Sequence, residues 1–558
     1  DRPAYLTRFV GHCVSEYYRD NSYQRRKIPL YRYSVVSYHW IVDMSFEIIS
    51  PPLRYPNRRG RSFGAVFAML AIIILSAAAA PVEAPVSPTP AVLIVAGGPL
   101  KRLNQVAIES NARYVMGLFP TNAITDVLFA DGKKDSEDVL YEAPAAKLEP
   151  GEAALNLLMS PQWRTPMERH YRATRLSRLD GPASRDALGG AFDQLSKTTH
   201  RPIVLYFAGH GSQGRHGNVS ENAYNLWHDT ITPPELAPLI ARLPTDTPIT
   251  LVMAQCFAGA FGDEIFQNGR PTDPVAPQDI AGFFGTTADR VAAGCTPDVH
   301  EADYQDFTSY FMAALSGRDR LGKPVSGADY NHDGQVGMDE AFCYALVNDP
   351  TIDVPVCTSD VFLRARVTSQ DSEVFHTPAA DVREWATAAQ NAAIDALSHE
   401  AAPMHSGPLT DFHTLYEQFL TGAKDPERSP ALQSAFQRAG SHFEKLRSNL
   451  RESILKQWPE LADRNPPAAA RTAAMHELAG DRHAADLVDA DAALERDAAQ
   501  WEDADAAAAR RLRLLRLVKT VVLTHRVLNG KSAVARQYLE RLLRAERRPL
   551  FTSSVAPA

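Results

Sequence analysis

The sequence predicts an α/β fold, in which a mainly parallel sheet is flanked by helices as a three-layer sandwich, followed by an all-α region. Short apolar runs between residues 91 and 289 end close to glycine, as buried parallel strands do. Segments with apolar residues at helical spacing alternate with these runs. Beyond about residue 368 only the helical spacing remains. These observations assign residues 91–367 to one α/β domain and residues 368–558 to a helical C-terminal domain.

Each element of the α/β domain has its own sequence signal. The predicted strands are rich in Val, Ile, Leu and Phe, which favour a buried pleated surface. The predicted helices carry apolar residues three or four positions apart, and one begins with a capping residue followed by proline. In chain order we predict strand 91–98, helix 104–119, strand 126–132, helix 184–195, strand 201–211, helix 231–244, strand 247–259 and strand 280–289.

Length and composition limit the class of protein. A chain of 558 residues is too long for one ordinary core, so two or three units are expected. The hydrophobic content of 45% and the charged content of 22% are typical of a folded globular protein. The net charge of −8 disfavours a nucleic-acid partner, because binding phosphates requires a basic surface.

A hydrophobic segment near the start of the chain predicts export. Residues 63–80 are apolar, arginines precede them, and a Pro-rich linker at 81–90 follows. This is the order of a secretory signal peptide, although about 18 apolar residues also suffice for an uncleaved membrane anchor. Either interpretation places the bulk of the protein in the periplasm or the extracellular space. Residues 1–62 are interpreted as an N-terminal extension that is disordered or not native, with a cytoplasmic tail as the alternative.

Two predicted strands lead into residues suited to nucleophilic catalysis. His210 and Cys256 each follow an apolar run and lie close to glycine. In an open parallel sheet, reactive residues collect beyond the carboxyl ends of the strands. A thiol is mostly protonated at neutral pH, so a nucleophilic cysteine needs a neighbouring imidazole. We therefore predict Cys256 as the nucleophile and His210 as its general base. Either residue alone would be interpreted as buried packing or as a histidine without a chemical role.

The sequence around these two residues resembles the caspase-like (clan CD) cysteine peptidases. In that group a histidine-glycine loop precedes the cysteine loop by roughly fifty residues, and here Cys256 follows His210 by 46 residues. GHGSQ at 209–213 is similar to the metacaspase histidine motif. QCFAGAF at 255–261 is similar to the cysteine loops of metacaspases and legumains, with Ala258 in place of the usual serine. Residues 104–119 and 231–237 also resemble bacterial legumain-like peptidases.

The resemblance covers residues 91–367 and implies a cysteine-type endopeptidase that acts on a peptide or protein substrate. It implies that the backbone amides of Gly211 and Cys256 form the oxyanion hole, which nearby glycines suit because they let main-chain N–H groups come close. The chain departs from metacaspases at Ala254, where an acidic residue would select a basic P1 side chain, so no P1 preference is predicted. Similarity to legumains also suggests an intramolecular lid formed by the C-terminal helical domain. The alternative is a domain packed behind the sheet or bound to a partner.

A second motif predicts a calcium site. Residues 329–340, DYNHDGQVGMDE, fit the spacing D-x-[DN]-x-[DN]-G-x5-E of a twelve-residue calcium loop. The expected ligands are four side chains and one backbone carbonyl, from Asp329, Asn331, Asp333, Glu340 and Gln335 respectively. We expect Ca²⁺ in a structural role that the chemistry does not require. The alternative is an Asx-rich turn that caps the following helix without an ion.

Three functions remain open at this point. The first is an exported cysteine endopeptidase, and the second is a transpeptidase that uses the same dyad but resolves the thioester with an amine. The third is a catalytically silent caspase-like scaffold stabilised by calcium. The intact cysteine–histidine pair favours an enzyme. Cys343 and Cys357 are interpreted either as a disulfide or as two buried thiols.

Overall fold

The computed structural model describes residues 89–143, 148–159, 168–198, 201–401, 412–421, 430–463 and 466–551. All of these residues belong to one compact unit. The predicted N-terminal extension, the signal or anchor segment and most of the linker lie outside the described residues. Among the helices that are described, none is long and apolar enough to cross a membrane.

The strands form one large sheet and two small ones. In chain order they are β1 (Ala91–Gly97), β2 (Ile124–Phe129), β3 (Val139–Ala143), β4 (Glu168–Arg172), β5 (Ile203–Gly209), β6 (Gly211–Ser212), β7 (Ala223–Leu226), β8 (Asp229–Ile231), β9 (Pro248–Met253), β10 (Asp279–Phe284) and β11 (Val356–Cys357). The large sheet has the order β11-β10-β9-β5-β1-β2 and is parallel except for β11, which is antiparallel to β10. This confirms the predicted α/β class with a mainly parallel sheet.

Helices flank the sheet and make up most of the C-terminal region. They are α1 (Val106–Gly117), α2 (Pro150–Met159), α3 (Arg185–Leu195), α4 (Pro233–Ile240), α5 (Phe307–Ser316), α6 (Met338–Asn348), α7 (Thr358–Arg366), α8 (Asp371–Phe375), α9 (Ala379–Trp385), α10 (Ala388–Ala401), α11 (Phe412–Thr421), α12 (Pro430–Gln457), α13 (Ala468–Gly480), α14 (Arg482–Leu528) and α15 (Ala533–Glu546). The predicted helices correspond to α1, α3 and α4.

The strand order creates a crevice at one edge of the sheet. From β1 the chain crosses to β2 on one side, whereas β5 lies on the other side of β1 and leads on to β9. The connections that leave β1 and β5 therefore diverge, and an open α/β sheet binds ligands where such connections separate. Both strands are fully buried along their whole length, which fixes the positions of the loops that follow them.

Several short elements have no sequence signal. The antiparallel pair β3–β4, with α2 inserted between its strands, and the small sheet β6–β7–β8 were not predicted. β4 reads ERHYR, so nothing in its composition indicates a strand. It pairs with β3 across an insertion, and a pairing between distant segments leaves no local periodicity in either of them.

The C-terminal helices pack in two different environments. The second half of α14 and all of α15 bury apolar residues in the same core as the central sheet. The first half of α14 forms a separate cluster with α12, α13 and α2, and α2 precedes β5 in the chain. Packing therefore crosses the domain boundary predicted near residue 368.

A buried arginine fastens α14 to the sheet side of the molecule. Arg513 is 1% exposed and donates hydrogen bonds to the backbone carbonyls of Leu346 (3.1 Å), Thr351 (2.8 Å) and Asp353 (2.6 Å). The Leu346 carbonyl belongs to the last turn of α6, and the other two lie in the loop between α6 and β11, so one guanidinium binds both the helix end and the loop that follows it. Replacing it would leave several buried acceptors without a donor, which costs about 1–3 kcal/mol for each.

Candidate active site

His210 and Cys256 occupy matching positions beyond two neighbouring strands. β5 pairs with β9 in a parallel register that runs from Ile203↔Ile249 to Phe207↔Met253, an offset of 46 residues. The same offset separates the histidine from the cysteine. The pairing continues past the strand ends, since the amide of Ala254 donates to the carbonyl of Phe207 at 3.0 Å. The 46-residue separation of His210 and Cys256 in the sequence therefore equals the offset of the register between β5 and β9.

The two loops touch at a glycine. A Cβ atom added to Gly211 would lie 1.9 Å from the backbone carbonyl oxygen of Cys256, a distance that no side chain tolerates. Only glycine allows the histidine loop to approach the cysteine loop so closely. The sheet therefore brings three of the predicted site residues, His210, Gly211 and Cys256, to one edge. Within the described part of the chain, the Cys256 N–H donates to no backbone acceptor.

His210 is buried, and its Nε2 nitrogen contacts two oxygens. Its exposed fraction is 4%, and Nε2 lies 2.9 Å from the carbonyl oxygen of Leu103 and 2.8 Å from Oε1 of Gln105. Both contacts are acceptors, so Nε2 carries the proton and donates. In the neutral ring the lone pair then lies on Nδ1, which is the nitrogen that can accept a proton. The sequence predicted neither contact, although both residues follow β1, the strand next to β5.

The Cys256 thiol is covered in this conformation. Its exposed fraction is 7%, and Sγ accepts a hydrogen bond from the Ala292 amide at 3.3 Å. Burial raises the pKa of the Cys256 thiol to about 12, and nearby Cys295 adds to the rise, while the Ala292 hydrogen bond opposes it. In the covered conformation the thiol is therefore protonated at neutral pH and is a poor nucleophile.

The cover is a short segment that follows β10, and we call residues 288–293 the strap. Besides the bond to Sγ, its backbone makes hydrogen bonds to other segments: the Ala288 carbonyl accepts from Nδ2 of Asn222 (2.7 Å), the Arg290 carbonyl accepts from the Phe257 amide (2.8 Å), and the Ala293 amide donates to Oδ1 of Asp353 (2.7 Å). Phe257 itself has a φ of 60°, in the left-handed region that non-glycine residues adopt at a cost. The strained residue directly follows the cysteine and supports the strap.

Polar side chains without partners lie beside the cysteine. Neither amide atom of Gln255 makes a hydrogen bond among the described residues, and the same holds for the hydroxyl of Thr286; both side chains are 0% exposed. β9 pairs with β10 at an offset of 31 residues, which places these two residues at matching positions beyond the strand ends. Buried polar atoms without partners are rare and costly. Two such residues therefore lie at the strand ends that lead to the cysteine segment and to the strap.

We call the assembled region the active edge. It comprises the segments 103–105, 209–211, 255–257 and the strap. Cys295 lies next to it, with its thiol 3.6 Å from the carbonyl oxygen of Gly209. The histidine and cysteine segments are recognisable from the sequence. The segment 103–105 and the strap are not, because nothing in their composition indicates chemistry.

The predicted calcium residues lie in a different part of the fold, in the loop before α6. The amide of Asp333 donates to Oδ1 of both Asp329 (3.2 Å) and Asn331 (2.8 Å), so these side-chain oxygens converge within the loop. Glu340 is 3% exposed; its Oε1 accepts from the amides of Tyr330 and Asn331, and its Oε2 from that of Gly337.

In these contacts side-chain oxygens accept hydrogen bonds from backbone amides, as they do in a turn that caps the following helix. Asp333 in turn accepts from the amide of Gln335 at 2.9 Å. Within the described residues, no group of three or more His, Cys, Asp or Glu side chains is arranged to hold a metal ion. The oxygens that converge are hard ligands of the kind Ca²⁺ prefers, and the calcium set stays a prediction. Cys343 and Cys357 are both buried free thiols.

No protein-family model matches the chain, and no curated protein matches it either.

Proposed function

We propose that the chain is an exported, caspase-like cysteine endopeptidase with Cys256 as nucleophile and His210 as general base. One observation carries the proposal: the two residues follow adjacent parallel strands at matching register positions, with Gly211 against the Cys256 carbonyl. Structural packing alone would not require a histidine and a cysteine at this edge. The location of the pair beside the strand-order crevice, where ligands bind in such sheets, supports it.

The reaction proceeds in two balanced halves. Nδ1 of His210 takes the thiol proton, and the thiolate attacks the carbonyl carbon of a peptide bond. The amides of Gly211 and Cys256 stabilise the oxyanion, and the imidazolium returns the proton to the leaving amine. A thioester remains on Cys256. His210 then takes a proton from water, the hydroxide attacks the thioester carbon, and the thiol is restored by the same proton. An amine in place of water would make the protein a transpeptidase.

The strap must move before this chemistry can start. In the covered conformation the pKa of the thiol is about 12, and Ala292 occupies the space beside Sγ. Exposure to solvent removes the desolvation that raises the pKa, and the imidazole can then take the proton. The covered thiol also favours one competing function, a scaffold in which the strap never opens. Both proposals include a structural Ca²⁺ at the 329–340 loop.

A thiol-reactive peptidyl probe tests the proposal. The full chain should be labelled at Cys256, and labelling should fall by about 10²–10⁴-fold in His210→Ala, since a general base contributes that much. Cys343→Ala is the matched control, because it removes a buried thiol of α6, away from the active edge, and should leave labelling of Cys256 intact. Thermal melting verifies that each variant is folded.

If a folded wild-type chain is not labelled by any probe in a peptide library, the scaffold is the correct function. Product analysis with an added amine separates hydrolysis from transpeptidation.

A further inference from the structure

The side chain of Gln105 contacts the predicted base directly. Oε1 of Gln105 lies 2.8 Å from Nε2 of His210, and the glutamine is 3% exposed. Gln105 occupies the N-cap position of α1 with extended backbone angles (φ −70°, ψ 149°), yet its side chain makes no capping hydrogen bond. A side chain at this position usually satisfies the first amides of its own helix. Here it accepts from the imidazole instead.

We infer that Gln105 is a positioning residue, which orients His210 and stabilises its protonated form during thiol activation. This inference rests on the proposed function. Oxygens of Leu103 and Gln105 both face Nε2, and together they fix the tautomer whose lone pair lies on Nδ1. When Nδ1 takes the thiol proton the ring becomes positive, and hydrogen bonds that involve a charged group are roughly twice as strong as neutral ones. The contact is therefore stronger in the activated state than in the resting state.

Electrostatics at the end of α1 make such an acceptor necessary. The N-terminus of a helix carries a partial positive charge, which disfavours a second positive charge nearby. His210 contacts the N-cap residue of α1, so its imidazolium would form next to that charge. The carbonyl of Leu103 supplies one opposing dipole, and Oε1 of Gln105 supplies the other.

The backbone around Gln105 is also held by contacts with β3 and the residue before it. The amide of Leu140 donates to the Asn104 carbonyl at 2.8 Å, and Nδ2 of Asn104 donates to the Asp138 carbonyl at 3.2 Å. Gln105 also forms an isolated parallel bridge with Leu140. Asn104 is 0% exposed. The glutamine is thus presented to the histidine by a rigid support rather than by a mobile loop, as a positioning residue requires.

Two substitutions separate positioning from simple packing. Gln105→Met keeps the length of the side chain but removes the amide oxygen, whereas Gln105→Glu replaces that oxygen with a charged one. Gln278→Met is the matched control. Gln278 is a 5% exposed glutamine with one hydrogen bond, to the Ala241 carbonyl, and it lies next to the start of β10, away from the active edge.

The first measurement is the pH dependence of Cys256 alkylation by iodoacetamide in the full chain. We expect Gln105→Met to lower the rate at neutral pH by about tenfold, the effect of one pH unit, and to move the rise in rate to higher pH. Gln105→Glu should restore the rate or exceed it, and Gln278→Met should not differ from wild type. A loss that glutamate does not rescue would mean that Gln105 only fills space, and the inference would be wrong.

The second measurement does not depend on cysteine chemistry. In a Cys256→Ala background, the NMR titration of the His210 ring should have its midpoint at lower pH with Gln105→Met and at higher pH with Gln105→Glu. An unchanged midpoint overturns the inference. If the midpoints move while wild-type Cys256 is unreactive, Gln105 still positions His210 and it is the endopeptidase proposal that fails.

Discussion

The active edge and the 329–340 loop both carry motifs for chemistry, and they differ in where their polar groups find partners. At the active edge, His210 bonds to residues more than one hundred positions away, and the strap covers a cysteine 36 positions before Ala292. In the loop, the contacts of Asp329, Asn331, Asp333 and Glu340 all lie within ten positions. The active edge is therefore formed by segments that are distant in the sequence, whereas the polar groups of the 329–340 loop bond within the loop and the helix turn that follows it.

The difference separates two roles for polar residues. The loop satisfies its carboxylates with backbone amides, which is what a stable turn requires. Among the described residues, the active edge retains unpartnered polar atoms on Gln255 and a left-handed Phe257, and the neighbouring Thr286 has an unpartnered hydroxyl. Such features cost free energy, and proteins tolerate them where a ligand or a movement relieves them. Changes in the loop should therefore affect stability, and changes at the active edge should affect chemistry.

The largest expected effect is on stability, from Glu340→Ala. This carboxylate accepts three backbone amides and is almost fully buried. Its removal leaves the buried Gly337 amide without an acceptor, so we expect a loss of about 3 kcal/mol in the free energy of unfolding. Denaturant unfolding measures it. Cys256→Ser nearly keeps the side-chain volume and leaves an acceptor for the Ala292 amide, so it should change the unfolding free energy by less than about 1 kcal/mol. If Cys256→Ser destabilises the chain as much as Glu340→Ala, the division between the two regions is wrong.

A smaller effect is expected from calcium. If the converging oxygens bind Ca²⁺ with the 10⁻⁴–10⁻³ M affinity of extracellular modules, 10 mM calcium should add about 1.4–2.7 kcal/mol of stability. The rise in melting temperature should disappear in Asp329→Asn/Asp333→Asn, which keeps the side-chain acceptors but removes two charges. Magnesium at the same concentration controls for ionic strength. No calcium-specific rise in the wild type would leave only the capping turn.

The sequence predicted the parts of this molecule that depend on local patterns. The strands β1, β5, β9 and β10 are apolar because both of their faces are buried, and buried strands can be recognised from composition alone. His210 and Cys256 could be predicted because glycine and a reactive side chain follow such strands. The parallel register between β5 and β9 then brings the two residues together.

The rest depends on contacts that leave no pattern in one sequence. In the sequence Gln105 has only the features of a helix start, and its partner His210 is 105 positions away. The strap has the sequence ADRVAA, which carries no motif, and its role follows only from the position of Ala292 beside Sγ. The polar strand β4 forms because β3 pairs with it across the α2 insertion. In each case a distant segment decides the structure.

One contact connects the helical region to the covered cysteine. Arg290, whose carbonyl accepts from the amide of Phe257, forms an ion pair with Asp505 of α14 at 3.5 Å. Both side chains are partly buried. α14 is in turn fixed to the loop between α6 and β11 through Arg513. The predicted lid would therefore act through the strap, by holding it closed over the thiol.

The smallest expected effect tests this connection. Asp505→Asn should raise the alkylation rate of Cys256 by up to about fivefold, because a partly exposed ion pair stabilises the closed strap by about 0.2–1 kcal/mol. Arg290→Gln should raise it equally, and the double variant should add little, since both changes remove the same pair. Asp371→Asn is the control; it breaks a different ion pair of α14, with Lys519. If Arg290→Gln raises the rate and Asp505→Asn does not, α14 does not hold the strap, and the helical region is not a lid.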